Sequence, residues 1–304
     1  MQRDNFLFIT HRRPDGDTIG SASALSQALR EQGKTAYMLF NPDITPRYAP
    51  FADDYWAADD YIPEHIIAVD TASCQLFPTN ADQYKGKIDL CIDHHASNTL
   101  FCALVCLDGE IATCGEIIYE ILLSISPSIS AISAERLYVA LSTDTGCFAF
   151  GNTTANTLRV ASFLIEAGAP HKLLNKTLFR TKRRSRIELE SMLDACIDYH
   201  FDGKVAIATI TMEMIESSGA VEDDLDDISA IPGSIEDVFI GITIREMTSV
   251  RDCKISVRSL PPYNSGAICA HFGGGGHRAA AGASIEKTVV EIKEDLLLVL
   301  AEIM

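Results

Sequence analysis

The sequence has no CxxC pair, and its nine cysteines are scattered and odd in number. That excludes a thiolate zinc site of the usual spacing and argues against a disulfide framework. The thiols are expected to be buried, in a reducing cytoplasm. No apolar run reaches the ~18 residues of a membrane span. The N-terminal run FLFI is too short for a signal peptide and has no small-residue cleavage site after it. The closing run LLLVLAEIM follows Glu291, Lys293, Glu294 and Asp295 and is expected as the buried face of a last helix. Positive charge is scarce, with 25 Lys and Arg against 42 Asp and Glu, a net charge of −17. An acidic body repels duplex DNA and anionic membrane. A small anionic substrate is compatible with it only where local groups reverse the field. No repeat, no low-complexity segment and no RNA-recognition signature with interleaved aromatics is present.

What is there is ordinary globular composition, 47% hydrophobic and 22% charged over 304 residues, enough for two domains. The first two thirds alternate strand and helix signals. Phe6–Thr10, 35–40, His65–Val69, 88–92 and 100–107 have strand length. Helical spacing runs through 18–32, with Gly33 as its stop, and through 113–124 and 134–142. Such alternation predicts an α/β fold with a doubly wound, mainly parallel sheet. A helical linker is expected over 154–200, broken near Gly168–Pro170. After Asp202-Gly203 strands at 205–211, 238–245, 254–259 and 279–285 and a helix from Lys287 predict a smaller α/β domain. The expected domains are therefore 1–195 and 203–304, with the active site in the cleft between them. The acidic run 222–227 reads as a solvated loop or helix start. The basic stretch Arg180, Lys182, Arg183, Arg184 and Arg186 reads as a solvated helix face paired with Glu188 and Glu190.

Four segments carry chemistry. ITHRRPDGDTIGSA places His11, Asp15 and Asp17 between a strand and a helix. IIAVDTAS places Asp70, and LCIDHHASN places Asp93, His94 and His95, at the ends of two further strands. LSTDTGCF places Asp144 in a loop after a helix. In a parallel sheet, ligands bind at the carboxyl ends of the strands. Carboxylates gathered there would repel one another and have raised pKa values unless divalent cations relieved them. Oxygen-rich ligation with a few imidazoles suits Mn²⁺ or Mg²⁺ better than Zn²⁺, although Zn²⁺ or Co²⁺ also fits. The run 273–276 is a separate signal. Glycines let backbone N–H groups approach an anion, and the Arg278 that follows supplies a forked, permanently charged donor.

HRRPDGD, VDTAS, DHHASN and STDTG resemble the four motifs of the DHH phosphoesterase superfamily. GGGGHRAAAG (273–282) and SVRS (256–259) resemble the signatures of its associated C-terminal domain. The resemblance spans essentially the whole chain and is strongest to the nanoRNase/pAp-phosphatase branch. It implies two Mn²⁺ (or Mg²⁺ or Co²⁺), with His11 and Asp15 on the first ion, Asp17, His94 and Asp144 on the second, and Asp70 bridging them. It also implies that His95 sits near the substrate phosphate, with Asp93 behind an imidazole. Arg258, Ser259, Gly274, Gly275, Gly276, His277 and Arg278 would bind a second phosphate. The segment after Asp70, TASCQLF, lacks the charged residues many relatives have there. The implied activity is hydrolysis of short single-stranded oligoribonucleotides to 5′-mononucleotides, and of 3′-phosphoadenosine 5′-phosphate, by a hydroxide that two metals activate. The expected setting is cytoplasmic, as a homodimer. Cleavage of pApA or cyclic di-AMP, and a non-catalytic nucleotide sensor, are the rival readings. The GGGGH tail argues against a pyrophosphatase.

Overall fold

The computed structural model describes residues 3–304. In chain order the first part contains β1 (Phe6–Ile9), α1 (Gly16–Glu31), β2 (Ala36–Met38), β3 (His65–Val69), β4 (Leu90–Asp93), β5 (Val105–Leu107), α2 (Cys114–Ile125), α3 (Ala131–Asp144), α4 (Ala155–Glu166) and α5 (His171–Asn175). The second part contains α6 (Arg184–Ala195), β6 (Asp198–His200), β7 (Val205–Ile210), α7 (Met212–Ser218), β8 (Ile240–Ser249), β9 (Asp252–Ser259), α8 (Ser265–Ala270), β10 (Gly275–Gly276), β11 (Ala280–Ile285) and α9 (Val289–Ala301). The chain divides into two compact units, Met1–Thr181 and Lys182–Met304.

The first unit is built on a five-stranded sheet of order β2-β1-β3-β4-β5, parallel throughout. Its strands are apolar on both faces, as a covered parallel sheet requires. Phe6, Phe8, Ile67, Val69 and Ile92 face the core formed with α1 to α4. Ile9, Ile66, Ala68 and Cys91 face the opposite side, covered by Phe77, Ala81 and Ile88. That second cover is made of short 3₁₀ turns over 74–84 rather than long helices. Helix α1 is buried along nearly its whole length, because small residues let it lie against α3. A Cβ on Gly16 would stand 2.3 Å from Thr143 Oγ1. This close approach brings the first turn of α1 beside the end of α3.

The second unit is a six-stranded sheet, β10-β11-β9-β8-β7-β6, antiparallel except for β7 beside β8. Ile292, Leu296 and Leu300 of α9 bury against Ile240, Ile242, Ile255 and Val257, so the closing apolar run does form an inner helix face. Helix α6 packs here too, with Leu189 and Leu193 fully buried among Ala208, Ile210 and Ile228. The division between compact units therefore precedes the 195–203 boundary expected from sequence. Among the described residues no helix is long and apolar enough to cross a membrane.

Several local expectations change. Residues 100–104 are not strand: Leu100 sits at φ 51°, and β5 holds only three residues. Asp144 is the last residue of α3 rather than a loop residue. In the acidic run, Asp224 is buried; it accepts hydrogen bonds from Ser185 Oγ and from the Val221 N–H. In the basic stretch, Lys182 and Arg186 both reach Glu190, and Arg186 donates to the carbonyls of Asp224 and Asp226. All nine cysteines are unpaired, and Cys106, on the edge strand β5, is exposed.

Candidate metal centre

Register assembles the site. Ile9 pairs with Ala68 and Val69 with Ile92, so β1, β3 and β4 end side by side. The residues that follow carry His11, Asp70, and, after Asp93 at the end of β4, His94 and His95. Asp15 is the N-cap of α1 and accepts from the Asp17 and Thr18 N–H groups at 3.0 and 3.1 Å. Asp17 follows in the first turn, and α3 delivers Asp144. Asp70 adopts φ 54°, a left-handed conformation that Asp tolerates better than most residues.

The six candidate cation ligands converge. His11 Nε2 stands 3.7 Å from Asp15 Oδ1 and 3.8 Å from Asp70 Oδ2. His94 Nε2 stands 3.7 Å from Asp17 Oδ2, 3.5 Å from Asp70 Oδ1 and 3.7 Å from Asp144 Oδ2. Two triads, His11-Asp15-Asp70 and Asp17-His94-Asp144, each keep their ligand atoms within 4.8 Å of one another, and Asp70, His94 and His95 form a third. Separations of 3.5–3.8 Å are long for hydrogen bonds, so these groups crowd without satisfying one another. Asp70 is 1% exposed, and its Oδ1 has no hydrogen-bond partner. A buried, unpartnered carboxylate oxygen is costly unless something charged meets it. Oxygen and imidazole donors without thiolate are a hard-to-borderline set, and they fit divalent cations.

The electrostatics agree. Burial first, then the charges of Asp17 and Asp15, push the Asp70 carboxyl well above the usual carboxylate range. Asp17 is raised likewise by burial and by Asp144 and Asp15. Burial and the Asp15 charge push Asp144 up to about 6. Asp15 is held low: desolvation opposes this, but His11 and two backbone N–H groups outweigh it. Asp17 is also gripped from α2, whose Cys114 and Gly115 N–H groups donate to it at 2.7 and 3.0 Å. Ser21 Oγ donates to it at 3.0 Å.

Asp93 is different. It is fully buried and bonds His95 Nδ1 at 2.7 Å, while Asn98 Nδ2 donates to its other oxygen at 2.6 Å. Burial would raise the Asp93 carboxyl, but His95 and Asn98 outweigh it and hold it low. Asp93 in turn raises the His95 imidazole. Burial lowers His94, as suits a ring that must be neutral to ligate. Asn98, Ser21 and the α2 N–H groups were not among the sequence candidates. Asn98 lies within the DHHASN motif, five residues after Asp93, and Ser21 within ITHRRPDGDTIGSA, one helical turn after Asp17; the α2 contacts have no local sequence signal. Asp93→Asn and Asn98→Ala are each expected to lower kcat/KM by ~10–100-fold with the fold retained. Imidazole NMR should show the His95 pKa falling in Asp93→Asn; an unchanged His95 titration would remove Asp93 from this role.

In the second unit, Arg258 lies opposite Ala280 in the β9–β11 ladder and donates to the Val257 carbonyl at 3.2 Å. Ser259 Oγ is 2.8 Å from Ser265 Oγ and donates to the Arg278 carbonyl at 3.1 Å, so this hydroxyl positions Arg278. Arg278 Nη2 donates to the Pro262 carbonyl at 2.9 Å. Gly274 is required by close approach, since a Cβ there would lie 2.2 Å from the Gly282 carbonyl oxygen. Gly275 faces open space. His277 and Arg278 are exposed.

A parallel sheet that gathers carboxylates and imidazoles at its strand ends, followed by a mixed sheet with a glycine-rich turn, has the build of the DHH phosphoesterases. The chain belongs to the DHH family: the DHH family, N-terminal domain, matches residues 5–141 and the DHHA1 domain matches residues 202–304. It is similar to the bifunctional oligoribonuclease and PAP phosphatase NrnA of Thermus thermophilus, 30% identical over 91% of this chain and 83% of that protein. It is also similar to the cyclic-di-AMP phosphodiesterase GdpP of Geobacillus thermodenitrificans, 25% identical over 97% of this chain but 47% of that one. Among solved structures, an exopolyphosphatase-related protein from Bacteroides fragilis superposes with a TM-score of 0.85 at 24% identity, covering 99% of this chain and 92% of that one.

Proposed function

We propose that this protein is a divalent-cation-dependent phosphoester hydrolase, acting in the cytoplasm on very short single-stranded oligoribonucleotides and on 3′-phosphoadenosine 5′-phosphate. The observation that carries the reading is the convergence of His11, Asp15, Asp17, Asp70, His94 and Asp144 around a buried carboxylate oxygen without a partner. Support for the substrate class comes from the NrnA relative, whose name gives both activities.

His11 and Asp15 would hold one cation and Asp17, His94 and Asp144 another, with Asp70 serving both; Mn²⁺ or Mg²⁺ suits these donors. Bound cations of this kind activate water and neutralise phosphoryl charge. The chain's own residues do the rest. The α2 N–H groups and Ser21 fix Asp17, so its oxygens need no reorganisation when substrate arrives. Asp93 takes the Nδ1 side of His95, which leaves Nε2 to hold a proton for the leaving oxygen or to steady the phosphoryl charge. Arg258, His277 and Arg278 supply donors for a further phosphate, and the Gly274–Gly276 turn its backbone N–H groups.

A rate panel with Mn²⁺ tests the reading: di- to pentaribonucleotides, 3′-phosphoadenosine 5′-phosphate, pApA, cyclic di-AMP and pyrophosphate. Short ribonucleotides and 3′-phosphoadenosine 5′-phosphate should turn over fastest. The GdpP relative, matched across nearly all of this chain, supports a second reading in which pApA or cyclic di-AMP dominates the panel. Hydrolysis of none would leave a nucleotide-binding protein without catalysis. Arg278→Ala is expected to raise KM for the dinucleotide ~10²-fold; a KM within twofold of wild type would remove Arg278 from substrate binding.

A further inference from the structure

Arg12 and Arg13 lie between two candidate cation ligands, His11 and Asp15, in the turn from β1 to α1. Both are exposed, and neither guanidinium has a hydrogen-bond or ion-pair partner among the described residues. In a chain of net charge −17, they set two free positive charges beside a cluster of carboxylates. Lys182, Arg186, Arg245, Arg251 and Lys293 each hold a carboxylate.

The backbone of this turn is unusual as well. Arg13 adopts φ 53°, disfavoured for a residue with a Cβ, and Pro14 after it favours extended backbone at that position. The turn is held there from several sides. Asn41 Nδ2 donates to Thr10 Oγ1 at 2.9 Å and to the His11 carbonyl at 2.8 Å. The Arg12 N–H donates to the Leu76 carbonyl at 2.7 Å. His11 Nδ1 lies 2.8 Å from the Arg12 carbonyl oxygen, and Asp15 caps α1. Strained backbone persists where its surroundings over-determine it, and such places cluster at ligand sites. The Leu76 contact also ties this turn to a segment, 71–77, that has no charged side chain.

We propose that Arg12 and Arg13 bind the substrate phosphate next to the one being cleaved, so that this turn selects substrates carrying more than one phosphate. The inference rests on the hydrolase reading. Cations would compensate the scissile phosphate and the second-unit donors a more distant one, whereas the phosphate adjoining the scissile one would meet an acidic site without a cation of its own. Guanidinium forks match phosphate oxygens and keep their charge at every working pH.

The test compares wild type with the Arg12→Ala/Arg13→Ala double variant, Arg13→Gly and Arg13→Lys. Steady-state rates with Mn²⁺ are read on pApA and triadenylate. Anisotropy of a fluorescent triadenylate with Ca²⁺ gives affinity across a salt series. The double variant should raise KM and Kd ~10-fold or more, with kcat within about twofold. Its slope of log affinity against log salt should shallow by about 0.7, the contribution of the one single-strand phosphate that the arginines no longer neutralise. Arg13→Gly frees the backbone and removes the charge; it should bind weakly while melting no lower than wild type, and Arg13→Lys should recover part of the affinity. Wild-type affinity and salt slope in the double variant or in Arg13→Gly would overturn the inference and leave the hydrolase reading standing. A wild-type protein that neither binds nor cleaves triadenylate would remove both.

Discussion

Asp70→Asn is expected to lower kcat/KM by ~10³-fold or more while raising the melting temperature of the metal-free protein. Both effects have one cause. Asp70 is buried with one oxygen unpartnered, within reach of His11, His94 and His95. Burial and the neighbouring carboxylates push its pKa up, which means that the ionised form destabilises the empty site. Asparagine removes that charge, can donate to a neighbouring carboxylate, and tolerates the left-handed backbone at φ 54° about as well as aspartate. The substitution should therefore leave the fold intact and even favour it. What it deletes is the one ligand common to the two His11- and His94-containing triads that include Asp70. Kinetics with Mn²⁺ and calorimetry in chelator measure the two halves separately. Turnover near wild type would eliminate the shared-ligand scheme; a lower melting temperature in chelator would mean that Asp70 stabilises the fold by contacts rather than straining it.

Strand ends and their charged followers were readable because both depend on local pattern: an apolar run of strand length, then Asp or His. His65–Val69 coincides with β3 for that reason. Contacts that cross the fold left no such mark. The bonds from Cys114 and Gly115 to Asp17 join residues 97 and 98 positions apart, and nothing near either end announces them. Asp144 was expected in a loop, but the Thr143 and Thr145 hydroxyls bond back to Val139 and Leu141 and α3 runs on to it. Helix α6 read as the tail of a linker because its period is helical whatever it packs on. Only the burial of Leu189 and Leu193 against β7, a strand that comes later in the chain, assigns it to the second unit. The hydroxyl of Ser259 faces Ser265 rather than solvent, a pairing that SVRS cannot reveal.

Mn²⁺ is expected to raise the melting temperature strongly at pH 8 and little at pH 5. Asp17 and Asp70 are raised well above the usual carboxylate range and Asp144 to about 6, so the folded metal-free protein binds more protons than the unfolded chain. Their contribution to stability is greatest where they are protonated and is lost as pH rises through those folded values. His11 and His95, also raised, act in the same direction: their contribution is full below the unfolded imidazole value and is lost as pH climbs through the folded one. His94, lowered by burial, acts oppositely. Asp15 and Asp93 are held low and matter only in more acidic solution. The empty protein should thus melt lower at pH 8 than at pH 5. Cations reverse the trend because they bind the ionised carboxylates and compete with protons. At a thousandfold excess over Kd one site contributes about 4 kcal/mol, roughly 10 °C for a unit of this size. Near pH 5, below the value of about 6 for Asp144 and with Asp17 and Asp70 raised as well, protons compete more strongly and the gain should shrink to a few degrees. Calorimetry with and without Mn²⁺ across this range decides the matter. A shift of equal size at both ends would mean that the ion binds elsewhere, and no shift at pH 8 would mean that the crowded carboxylates hold no cation.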